Sequence, residues 1–151
     1  MKFTISTALL SLAGLVVSIA VPRQSCPQAS RFGTFLVSPT TVNPGDEITI
    51  STDLSCAINN FGIIPKFLDY SIVVPANSNN GHEPNIVLAR RDFNASAGLT
   101  SDQFTTKIPF AFYFAGAPYQ ILLTNTYPIN GTDGSEVLIQ GGIFGGITIN
   151  V

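Results

Sequence analysis

KIPFAFYFAGAPYQILL, residues 107–123, carries three phenylalanines and two tyrosines within ten positions, with only one lysine and one glutamine to wet the run. Read as a continuous apolar stretch, it would be a membrane-crossing segment. Pro109 cannot donate to a sheet ladder, and Gly116 with Pro118 interrupts any regular element, so the run divides into a strand end, a connection and a strand start. In a β-sandwich such a connection passes from one sheet to the other. Phe110, Phe112 and Phe114 are then expected to close that end of the core, with Tyr119 at the position of a corner tyrosine. The alternative is an exposed aromatic contact surface made by the same three rings, because so many large side chains seldom all turn inward from a connection.

The flanking sequence reads as strands on both sides. Downstream, residues 119–126 form one, and residues 143–151, joined by 137–140, form the last. Upstream, residues 104–108, IVLARRDF at 86–93, and residues 68–74 form three more. In the last of these Leu68, Tyr70, Ile72 and Val74 alternate with Asp69 and Ser71. Ile48 and Ile50 alternate with Thr49 and Ser51, and residues 32–37 are an apolar run stopped by Ser38-Pro39. Asn43-Pro44-Gly45-Asp46 has the residue order of a reverse turn and predicts a hairpin-like lead into the strand after it. No stretch beyond residue 20 keeps a helical period over ten residues. About seven short strands separated by Pro, Gly and Asn turns predict an all-β fold, an immunoglobulin-like antiparallel β-sandwich, with a closed barrel as the competing architecture. The paired glycines around Ile143-Phe144 predict a bulge or a close approach of strands.

The first twenty residues give the address. Lys2, an apolar stretch over residues 5–19 and the small residues of Ser18-Ile19-Ala20 make residues 1–20 a secretory signal peptide, cut after Ala20. Residues 21–30 are then an N-terminal arm, residues 31–151 the sandwich domain, and the expected location is extracellular, with no stable membrane insertion after cleavage. Losing Lys2 leaves six basic side chains against nine acidic ones. That balance argues against nucleic acid or an anionic membrane as partner. Cys26 and Cys56 are expected to pair in an oxidising compartment, tying the arm to the end of an early strand at a gain of about 3 to 4 kcal/mol. Asn94-Ala95-Ser96 and Asn130-Gly131-Thr132 are N-glycosylation sequons in turn-like segments.

The search for chemistry is largely negative. His82 is the single histidine, in the polar loop NNGHEPN, and reads as a solvated loop residue. No His-x-x-x-His pair and no Gly-x-Ser-x-Gly elbow occurs, so no metal, cofactor or catalytic residue is assigned. Glycoside hydrolysis needs two convergent carboxylates, and Asp46, Glu47, Asp53 and Asp69 are the acids that could meet in space. Sugar stacking has no tryptophan to use and falls to Tyr70, Tyr113, Tyr119 and Tyr127. Arg90-Arg91, a dibasic pair within a strand, is given a structural role.

SPTTVNPGDEITIST at 38–52, FTTKIPFAFYFAGAPYQILLTNTY at 104–127 and GITINV at 146–151 together resemble a group of small secreted fungal immunoglobulin-like proteins. These share a Pro-Gly turn before the second strand, a strand ending in Ile-Pro or Val-Pro, a short connection to Gly and a closing strand. The group includes necrosis-inducing secreted proteins, effectors that dampen plant immune signalling. The resemblance implies an effector-type protein engaging a host or cell-surface protein and carries over no individual site residue; with the signal peptide and the negative search for chemistry, the expectation is a secreted, monomeric, non-enzymatic protein. A cell-wall or carbohydrate-binding module, with a cell-wall glycan as ligand, and a small secreted hydrolase are the alternatives.

Overall fold

The computed structural model describes residues 25–81 and 83–151; the expected signal peptide, the first residues of the arm and His82 lie outside the described residues. The Ile48/Ile50 alternation becomes β3 (Glu47–Asp53), with Ile48, Ile50 and Thr52 buried. β3 is flanked antiparallel by β1 (Thr34–Ser38) and β6 (Ser101–Lys107). The second sheet runs β5 (Ile86–Asp92), β4 (Phe67–Val73), β7 (Gln120–Asn130) and β8 (Glu136–Gly146), again with antiparallel neighbours. Leu68, Tyr70 and Ile72 of β4 and Ile121 and Leu123 of β7 meet Ile48 and Ile50 in one core. The protein is an all-β antiparallel sandwich, as the alternation predicts.

The departures from expectation have local causes. β6 starts at Ser101, three residues early, because full pairing with β3 carries the polar Ser-Asp-Gln along. β7 extends past Thr126 through Pro128, since it closes a long hairpin with β8. β8 is a single strand, and β9 (Thr148–Ile149) then leaves that sheet to pair in parallel with β2 (Thr41–Val42). The Asn43–Asp46 turn therefore closes no hairpin; it hands the chain from β2 to β3. The turn itself is as read: Asp46 N donates to Asn43 O at 3.1 Å, the Asp46 carboxylate accepts from Asn43 N at 2.7 Å, and Gly45 takes φ +93°. α1 (Ser55–Asn59) is too short to leave a periodic trace. Cys56 lies in it, so the Cys26–Cys56 disulfide, with Cα atoms 5.5 Å apart, ties the arm to α1, just beyond the strand end expected.

The paired glycines mark a close approach, and the β7–β8 register contains no bulge. The Phe32 ring lies where a Cβ on Gly141 would be, and the Phe35 ring lies against Gly145. Rings from the β1 side thus sink into the inner face of β8. Among the described residues no helix is long and apolar enough to cross a membrane.

The pairings define two poles. One gathers the arm, α1, the 93–100 connection and the β7–β8 hairpin; the other gathers the 43–46 turn, the 74–85 loop and the 108–119 connection.

Candidate functional site at the aromatic pole

The 108–119 connection leaves β6 at Ile108, which is fully buried. Ile108 N donates to Asp46 O at 2.9 Å and Gly45 N donates to Ile108 O at 2.8 Å, pinning the connection to the 43–46 turn. Beyond Pro109 the aromatic residues part company. Phe110, Phe112 and Phe114 are 88%, 78% and 48% exposed, whereas Tyr113 and Tyr119 are buried. The two tyrosines stack edge to face, 5.3 Å between centroids. They, and not the three phenylalanines, close this end of the core.

The reason lies in the backbone. A connection that leaves the ladder frees polar groups that must find partners, and a tyrosine can bury its ring while its hydroxyl supplies one. Tyr113 OH donates to Pro109 O at 3.0 Å, and Phe114 N donates to Tyr119 OH at 2.9 Å. Phenylalanine has no such handle. The expectation that the three phenylalanines fill the core is corrected, and the alternative, an exposed aromatic surface, is what the geometry holds. Phe110 caps Gly45, while Phe112 and Phe114 meet edge to face at 4.9 Å.

Two shallow grooves flank Phe114. One, of about 310 Å³, runs between Phe114, Pro118 and the 78–80 segment; the other, of about 280 Å³, runs between Phe112, Phe114, Pro84 and Ile86. Glu83 lines both. Its backbone is clamped by Asn79, whose Nδ2 donates to Glu83 O at 2.8 Å and whose Oδ1 accepts from Glu83 N at 3.3 Å. Burial pushes the Tyr119 hydroxyl above the usual tyrosine range, the hydrogen bond from Phe114 opposes this, and the Glu83 carboxylate adds to the rise. Neither Asn79 nor Glu83 stands out in the sequence, where the 74–85 segment shows only polarity; their roles arise from the fold of the loop.

The other residues singled out by sequence are dispersed. Asp46 is held by Asn43, Glu47 faces Lys107, Asp53 accepts from Ser55 N, and Asp69 pairs with Arg90. Asp46 and Glu47 stand at the opposite end of β3 from Asp53, and Asp69 is on the other sheet, so these four do not converge. All four tyrosines are buried, so the exposed rings available to a ligand here are phenylalanines. Arg90 points outward to Asp69, with Nε 2.6 Å from the carboxylate; Arg91 bonds Asp102 at 2.7 Å and lies over Phe104. Tyr70 OH donates to the same Asp102 and shares a hydrogen bond with Thr52, completing a polar seam between the sheets. Asn94 and Asn130 are exposed, in the 93–100 connection and at the β7–β8 hairpin, both at the pole opposite the phenylalanines. No group of three or more metal-ligating side chains occurs among the described residues.

No family model matches the chain, and no curated protein is significantly similar to it.

Proposed function

We propose that this is a secreted, non-enzymatic, effector-like protein that acts as a monomer and engages a host or cell-surface protein through its aromatic pole. The observation that carries the reading is the joint exposure of Phe110, Phe112 and Phe114. Contact surfaces concentrate their binding energy in such aromatic anchors, and isolated exposed rings need no explanation, whereas three at one pole do. Glycans on Asn94 and Asn130 would shield the disulfide pole and leave the aromatic one open. An immunoglobulin-like assignment is supported by the 1-3-6 and 5-4-7-8 strand orders and by Tyr119, which immediately precedes β7 and bonds backbone five residues upstream.

A cell-wall glycan module is the second reading, favoured by the polar side chains Ser78 and Asn80 beside Phe114. The two separate experimentally. The mature protein and a Phe110→Ser/Phe112→Ser/Phe114→Ser variant are compared on a glycan array and in capture from plant membrane extract. The expected result is capture of a defined protein that falls more than tenfold in the variant, about 1.4 kcal/mol, with the melting temperature retained. Saturable glycan binding without a protein partner would overturn the proposal.

A further inference from the structure

We infer that the aromatic pole receives a lysine or arginine side chain of its protein partner, with the Glu83 carboxylate as counter-ion and the Phe112 and Phe114 rings against the stem and charge. This deepens the reading above and rests on it. Both grooves share Glu83 and Phe114, and neither lining includes a lysine or arginine. Among the described residues Glu83 makes no ion pair; the four salt bridges involve other acids.

The loop that carries the carboxylate is held in place. Asn79 clamps the Glu83 backbone from both sides, so little backbone freedom remains to be lost there on binding. The edge-to-face arrangement of Phe112 and Phe114 leaves aromatic surface open to solvent. A cation within about 6 Å of such a face is attracted by the ring quadrupole, and the aliphatic stem of lysine or arginine suits the apolar walls.

Size and polarity narrow the ligand. At about 310 and 280 Å³ the grooves stand at the lower limit of small-molecule sites, near 300 Å³, so each suits one side chain. A neutral sugar needs several convergent hydrogen-bonding groups. Here the Asn79 amide is consumed within the loop, its oxygen accepting from Gly81 N and Glu83 N and its nitrogen donating to Glu83 O, which leaves Ser78 and Asn80 beside Glu83 in the first groove and Glu83 alone in the second.

The test is an NMR titration of the isotopically labelled mature protein with a tri-lysine peptide, a tri-arginine peptide, the ε-acetylated tri-lysine peptide and a chitosan oligomer. The inference expects amide shifts confined to residues 79–86 and 110–118 with the cationic peptides, weakening as salt rises. The acetylated peptide should bind at least tenfold more weakly, and Glu83→Gln should reduce tri-lysine affinity at least tenfold. Unchanged binding by Glu83→Gln, equal binding of the acetylated peptide, shifts centred elsewhere, or preference for the chitosan oligomer would each overturn it. The two proposals fail separately. If the triple phenylalanine variant loses the captured partner while Glu83→Gln keeps it, the pole stands and the cationic assignment falls; if both keep it, the pole itself falls.

Discussion

Gly145 and Gly146 are neighbours with opposite surroundings. A Cβ on Gly145 would come within 2.6 Å of the Phe35 ring, whereas one on Gly146 would meet nothing within 4 Å. Gly145→Ala is expected to destabilise by about 1 to 3 kcal/mol through overpacking, and Gly146→Ala to change stability by less than about 0.5 kcal/mol. Urea unfolding of the two variants checks the contrast. The sequence carries the pairing of these glycines but not their division of labour. Which glycine faces inward depends on the pairing with β7, and which ring fills the gap depends on β1, more than a hundred positions away.

At the scale of elements, the strands were legible because alternation is local: Ile48 and Ile50, or Leu68, Tyr70 and Ile72, declare a buried face within a few positions. The 108–119 connection was half legible. Pro109, Gly116 and Pro118 announce the break, but which rings turn inward depends on backbone groups that need a hydroxyl, and no periodicity reports that. Tyr119→Phe should leave the Phe114 N–H without its acceptor and cost about 1 to 3 kcal/mol, read by thermal unfolding against wild type. The same burial sets a pH limit. Desolvation raises the hydroxyls of Tyr70, Tyr113 and Tyr119, so the fold holds these protons to higher pH than the unfolded chain, whose tyrosines ionise near pH 10. Stability should therefore be complete below about pH 10 and decline as pH rises beyond it toward the folded-state values. A Tyr70→Phe variant, compared by unfolding at pH 9 and about pH 11, should lose less stability over that interval than wild type.

On the scale of the whole molecule, the disulfide belongs to one pole and the aromatic surface to the other. Replacing Cys26 and Cys56 with serine should lower stability by about 3 to 4 kcal/mol, measured by chemical denaturation, while leaving the residues of the aromatic pole unshifted in NMR spectra. The pairing of the two cysteines was readable from their number and the secretory context that residues 1–20 lead one to expect. The polarity of the molecule was not, because sequons and phenylalanines acquire opposite positions only once the strand order is known.

The Cys26–Cys56 link also sets how the protein would bear tension. Pulled between Ser25 and Val151, the protein loads the hydrogen bonds of the parallel β2–β9 pair together in shear. In the oxidised chain the Cys26–Cys56 link, a sequence separation of 30, keeps the segment that holds β1, β2 and β3 from extending once that pair ruptures, and reduction frees it. A single-molecule stretching experiment should then show a longer extension per unfolding event after reduction, by about 100 Å.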